Sequence, residues 1–178
     1  FAKELANDLK IKLIDIKEYI TSSGPKVTLP NGDKFENRFA MENIDFKNKR
    51  VLDIGALGIV IPDIKDPKDA LGAVSACRYP PDGLRGIGAS RPNTVYGDNY
   101  YQDSNDEICV VLMIEDIKAV EQIENILNIP GIDVIFIGPN DLASSMGLPL
   151  GMDNKHPEHK EAVDKVFKEC SKRGIPVG

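Results

Sequence analysis

From about residue 50 onward, short apolar runs alternate with segments of helical period, and this alternation constrains the fold more than any other feature of the chain. Leu57-Gly58-Ile59-Val60-Ile61-Pro62 is the first strand candidate. Asp66-Pro67-Lys68-Asp69 follows, an N-cap with proline at the first helical position, and predicts a helix to about Cys77 that buries Ala70, Leu71, Val74 and Cys77. Ile108 to Ile114 is a continuous apolar run, as expected of a parallel strand covered on both faces. Asp116 can cap the next helix, whose apolar residues Ile117, Val120, Ile123, Ile126 and Leu127 fit a 3.6 period. After the Pro130-Gly131 break, residues 132–137 are strand-like again. A last helix opens at His156-Pro157-Glu158, carries Ala162, Val163, Val166, Phe167 and Cys170 on one face and stops at Gly174, before Ile175-Pro176-Val177 resumes an extended run. Repeated β-α units imply parallel strands joined by right-handed crossovers, so the expected class is α/β.

With 178 residues, the chain can build one good hydrophobic core. Its 42% hydrophobic and 28% charged residues are ordinary globular composition. The balance of 22 basic against 28 acidic side chains argues against nucleic acid as a partner. No apolar stretch approaches the roughly 18 residues that span a bilayer, and no signal peptide opens the chain, so no membrane association is expected. Cys77, Cys109 and Cys170 lie at wide spacings without a CxxC pair, which points to reduced core thiols and a cytoplasmic protein. The chain begins at Phe1 rather than Met and ends on a strand just starting, so the sequence reads as incomplete at both ends.

Residues 2–20 can form an amphipathic helix, with Leu5, Leu9, Leu13, Ile16 and Ile20 on one side. Lys26-Val27-Thr28-Leu29 is strand-like, and Pro30-Asn31-Gly32-Asp33 is a turn signal. Residues 80–106 read as a long irregular loop containing Tyr96, Tyr100 and Tyr101, of the kind used at active sites or subunit contacts.

Two acids stand out by position. Glu115 ends the apolar run 108–114, and Asp141 follows the run 132–137 after Gly138-Pro139-Asn140. Both therefore fall at the carboxyl ends of successive parallel strands, where α/β folds build their sites. If those strands are neighbours at about 4.8 Å, the two carboxylates can converge on one hard cation and leave its other positions to water and substrate. Helix capping explains the same residues: Asp141 precedes Leu142-Ala143, and Asp116 fits a cap better than Glu115 does. Gly138-Pro139-Asn140-Asp141 also suits a strand-to-helix turn whose N–H groups can seat a carboxylate or phosphate.

Arg78 and Arg85 can offer bidentate contacts to an anion, or can bridge their loop to a neighbouring helix. His156 and His159 open a helix, where capping and a solvated face outweigh catalysis. Walker, GxSxG, HExxH and GxGxxG patterns do not occur, which leaves nucleotide-binding and serine-hydrolase functions without support.

Taken together, Arg50 to Ala56, Ile59 to Pro62, Arg78-Tyr79-Pro80-Pro81 with Gly83 and Arg85-Gly86, Ile114-Glu115, Gly131-Ile132-Asp133, Phe136 to Leu142, Met146-Gly147 and His156-Pro157-Glu158 resemble the HpcH/HpaI aldolase family of metal-dependent class II pyruvate aldolases. The likeness covers about residues 49–178, within a single domain of which residues 1–48 match poorly. It implies a (β/α)8 TIM-type barrel, present incompletely, and cleavage of a 4-hydroxy-2-oxo acid to pyruvate or a related 2-oxo acid and an aldehyde. It further implies a divalent metal (Mg2+, Mn2+ or Co2+) held by Glu115 and Asp141, with the 2-oxo acid carboxylate seated by Gly138, Pro139, Asn140 and Asp141. The physical basis is Lewis acidity toward the charge that develops on the keto oxygen.

The chain departs from the family pattern in several places. The family arginine that contacts the keto oxygen has its nearest counterpart in Arg38. Met113 stands where many members carry a glutamine, which makes that side of the pocket less polar. The early strands, with their acid/base histidine, and the final strands and closing helix have no counterpart. A carboxylase or decarboxylase of oxo acids using the same metal site, and a non-catalytic relative, are the competing readings. The resemblance also implies a homo-oligomer, a hexamer in related aldolases, and places aldehyde specificity at residues 87–106.

Overall fold

The computed structural model describes residues 26–28, 34–36, 47–88, 91–151 and 154–178. The chain divides into two compact units, Phe1–Ala40 and Met41–Gly178. In the first, β1 (Lys26–Thr28) pairs antiparallel with β2 (Lys34–Glu36), Val27 opposite Phe35. The turn signal between them, the helix expected over 2–20 and Arg38 lie outside the described residues.

The second unit is built on parallel strands. Helix α1 (Lys47–Asp53) leads to β3 (Gly58–Ile61), and α2 (Pro67–Cys77), α3 (Arg91–Tyr96) and α4 (Tyr100–Glu107) follow before β4 (Cys109–Ile114). Next come α5 (Ile117–Glu121), α6 (Ile123–Ile126), β5 (Val134–Ile137), α7 (Pro139–Ser145) and α8 (Pro157–Arg173). The sheet order is β3-β4-β5, with Ile59 opposite Val110 and Val111 opposite Val134, all parallel. Beyond β5 the ladder continues through a parallel bridge between Ile135 and Val177, and the Ile135 N–H donates to the Pro176 carbonyl at 2.9 Å. The expected extended run at 175–177 is therefore paired. Both faces of β4 are covered: Val110 to Ile114 are all buried, which is why its sequence shows no alternation.

Local chemistry sets the helix boundaries. Asp66 caps α2, its Oδ1 accepting from the Asp69 N–H at 2.9 Å. The helix buries Ala70, Ala73, Val74 and Cys77, an i, i+3, i+4, i+7 stripe; Leu71 lies off that stripe and is 51% exposed, against expectation. The single helix expected after Asp116 is broken at Gln122, whose backbone (φ −101°, ψ 12°) leaves the α region between α5 and α6. Helix α8 ends at Gly174, which takes the left-handed φ of 67° that glycine tolerates. It buries His159, Ala162, Val166, Glu169 and Cys170 and packs on α5 and α6, whereas Phe167, next to that stripe, is 42% exposed.

Residues 80–106 are not the irregular loop that was expected, because α3 and α4 occupy much of them. Helix α4 (YYQDSNDE) buries only Tyr100 and Ser104, an i, i+4 pair too sparse to show as a period. Its tyrosines serve the interior: Tyr79 meets Tyr100 and Tyr101 edge-on, and the Arg85 guanidinium lies 4.5 Å from the Tyr79 ring centre. Arg85, 1% exposed, also donates to Asp53 Oδ1 at 3.0 Å and to the Tyr100 hydroxyl at 3.1 Å.

Arg78 is likewise internal. It donates to the carbonyls of Asn105 and Ile108 and to Asp133 Oδ2 at 3.0 Å, while the same Asp133 oxygen accepts from the Val110 N–H at 2.7 Å. Both arginines thus bridge chain segments, the second of the two readings left open for them. The cysteines are free thiols, Cys77 and Cys170 buried and Cys109 half-buried; burial pushes Cys77 and Cys109 up to about 12 and Cys170 up to about 11. Among the described residues, no helix is long and apolar enough to cross a membrane.

Candidate functional site at the strand ends

Glu115 is the first residue after β4, and Asp141 lies in the first turn of α7, directly after β5. Because β4 and β5 are hydrogen-bonded neighbours, with Ile114 opposite Ile137, both acids stand at the same end of adjacent strands. Capping is done by other residues. Asp116 caps α5, accepting from the Lys118 N–H at 2.9 Å, and Gly138 holds the N-cap position of α7. Neither Glu115 nor Asp141 is therefore a cap.

Glu115 is tied from a third strand end. Its Oε1 accepts from the backbone N–H of Asp63 at 2.8 Å, just past β3. Asp63 can aim that N–H because its φ is +62°, a left-handed conformation that aspartate adopts more readily than most residues. Its own carboxylate pairs with Lys65 Nζ at 2.7 Å. The pKa of Glu115 is raised from its ordinary value, chiefly by burial; the Asp63 N–H opposes the shift, and the negative charges of Asp141 and Asp63 add to it.

The turn between the acids leaves no spare room. A Cβ on Gly138 would lie 2.7 Å from Met113 Cε, 2.8 Å from Glu115 Cβ and 2.9 Å from Glu115 Oε2. Only glycine lets the turn close on the glutamate. Two contacts hold the turn from downstream: Asn140 Oδ1 accepts from the Gly151 N–H at 3.0 Å, and His159 Nε2 lies 3.0 Å from the Pro139 carbonyl. His159 is therefore buried in α8 and not on a solvated face, and His156, at the N-cap, makes no capping bond with its ring. Sequence reasoning missed Asp63, and it placed His159 on a capping or solvated position. The available signals were an aspartate directly after a strand-ending proline and a second histidine at the spacing of the buried stripe.

Chemically, the two acids offer oxygen donors, the kind that a hard cation takes. Two repelling carboxylates with oxygen donors only, one of them with a single oxygen committed to a backbone N–H, match the preference of magnesium-like ions. Among the described residues no group of three or more His, Cys, Asp or Glu side chains is placed to hold a metal.

Parallel β-α units with acids past the carboxyl ends of their strands place this pair where α/β folds build their ligand sites. The chain belongs to the HpcH/HpaI aldolase/citrate lyase family, which matches residues 37–177. It is 43% identical over 132 residues to a hydroxypyruvate/pyruvate aldolase of Sagittula stellata, covering 73% of this chain and 51% of the relative. It is 37% identical, over the same shares, to a 5-keto-4-deoxy-D-glucarate aldolase of Enterobacter sp.. An HpcH/HpaI aldolase structure from Desulfitobacterium hafniense superposes with a TM-score of 0.69 at 34% identity, covering 78% of this chain and 55% of that one. The chain spans about half the length of the curated relatives it matches.

Proposed function

We propose that this chain carries the metal-binding half of a (β/α)8-barrel lyase that cleaves a 4-hydroxy-2-oxo acid to pyruvate, or a related 2-oxo acid, and an aldehyde. The observation that carries the reading is the Glu115–Asp141 pair on adjacent strand ends, closed by a glycine turn with no room for a side chain. Family membership and the aldolase names of the relatives support it.

Glu115 and Asp141 are the ligands for a divalent ion such as Mg2+, Mn2+ or Co2+. Bound there, the ion supplies Lewis acidity toward negative charge on a keto oxygen. The residues themselves do the positioning. Asp63 fixes one oxygen of Glu115, which leaves Oε2 as the coordinating atom. The turn from Gly138 to Asp141 seats the carboxylate of the 2-oxo acid through the backbone past Pro139, since the Gly138 N–H donates to the Ile114 carbonyl at 3.1 Å and Pro139 has no N–H. Met113, beneath the turn, excludes water from that side.

Pyruvate release, followed through lactate dehydrogenase and NADH, tests the assignment. It should depend on divalent metal and fall at least a thousandfold in E115Q and D141N, in line with loss of a group that stabilises transition-state charge. Mn2+ binding, strengthened by pyruvate in the wild type, should be lost in both variants. Full activity or Mn2+ binding in either overturns the reading, and release of carbon dioxide without an aldehyde would replace the lyase by a decarboxylase.

A further inference from the structure

Asp141 rides on a helix of seven residues, and a helix that short is not stable by itself in water. Its direction must be imposed from outside. What reaches in is His159. Its Nε2 lies 3.0 Å from the Pro139 carbonyl oxygen, and a carbonyl can only accept, so Nε2 must carry the proton and donate it. The ring is 4% exposed and heads the buried stripe that runs through Ala162, Val166 and Cys170, so its place is set by the packing of a helix of 17 residues. The donor is therefore held rigidly and the helix it grips is short.

We propose that His159 is a positioning residue for the acid pair: its ring N–H fixes the Pro139 carbonyl, sets the course of the first turn of α7 and so holds Asp141 toward Glu115. The inference rests on the metal reading above and goes beyond it, because His159 touches neither the cation nor substrate. Asn140, bonded through Oδ1 to the Gly151 N–H at 3.0 Å, braces the same turn from the connecting segment.

The test is Mn2+ binding in the presence of pyruvate, measured by calorimetry well below the unfolding midpoint. Wild type is compared with H159F, which keeps a ring of similar size without a donor, and with H159Q, whose amide can place an N–H near the Nε2 position. H159M is a second donor-less variant should H159F fail to fold. The expected result is an affinity about tenfold weaker in H159F or H159M, the effect of one net hydrogen bond, with H159Q restored to within about threefold of wild type. A purely structural role would lower the midpoint of all the variants without this ordering of affinities. Wild-type affinity in a folded donor-less variant overturns the inference alone, as does H159Q binding no better than H159F. Absence of Mn2+ binding in the wild type overturns the two-acid reading, and this inference with it.

Discussion

Replacing Gly138 by alanine isolates the close packing between the turn and Glu115. The backbone at this position (φ −92°, ψ 90°) is open to any L residue, so the substitution introduces no dihedral strain and acts through contacts alone. The new methyl would stand 2.7 Å from Met113 Cε, 2.8 Å from Glu115 Cβ and 2.9 Å from Glu115 Oε2, where carbon–carbon contacts normally settle at about 3.5–4.0 Å. Met113 can withdraw its flexible end. Glu115 cannot, because its Cβ is fixed at the end of β4 and its Oε1 is held by the Asp63 N–H. Overpacking of this kind costs about 1–3 kcal/mol, which for a chain of this size lowers the thermal midpoint by about 2–12 °C. Displacing the carboxylate should also weaken Mn2+ binding by about 10–100-fold, as disturbance of the groups that orient a ligand does elsewhere. Calorimetry measures both quantities. The double variant M113L/G138A removes one contact of the three, so part of the midpoint should return and the Mn2+ affinity should not. A G138A protein with wild-type midpoint and wild-type affinity would refute the packing argument. Full recovery by M113L would assign the crowding to Met113 alone.

Two other outcomes follow from the same contacts. Glu115, with a folded-state pKa raised above its ordinary 4.5, stabilises the metal-free protein while protonated. That contribution is complete below the unfolded value and is lost as pH rises through the raised one, so the midpoint should fall across this window. Mn2+ affinity should rise there as the ligand ionises, and E115Q should flatten the stability profile; an unchanged profile in E115Q would contradict the assignment. Arg78→Ala should cost about 3 kcal/mol in urea unfolding, the lower end for a broken buried pair because Asp133 keeps some access to water, and Arg78→Lys should rescue little, since an ammonium cannot span Asp133 and two carbonyls. A loss below about 1 kcal/mol in Arg78→Ala would show that the bracket is dispensable.

Much of the fold could be read because each β-α unit writes its period into its own residues. Asp66 and Asp116 cap the helices they precede, Gly174 ends α8, and β4 shows the unbroken apolar run of a strand covered on both faces. The misreadings have local causes. Helix α4 carries too few apolar residues to show a period, and Leu71 and Phe167 sit one position from stripes whose phase only packing defines. The acid pair was visible as two strand-end carboxylates, and of the two readings weighed for it capping is removed, because Asp116 and Gly138 hold the cap positions. Asp63 and His159 were not legible because their partners lie 52 and 20 residues away in sequence. Nothing in a local window reports a contact across such a distance.

The Arg78 bracket ties together the beginnings of β4 and β5, through the Ile108 carbonyl, the Val110 N–H and Asp133. Glu115, Asp63 and Asp141 lie past the opposite ends of those strands and of β3. Separating the clamp from the chemistry by the length of a strand gives the lineage a freedom that a site built on its own scaffold would lack. Side chains around the acid pair can be exchanged while Glu115, Asp141 and the glycine turn stay, and the rivets at the other rim keep the sheet in register. Drift should accordingly be fastest at rim positions that touch neither the two acids nor the glycine turn.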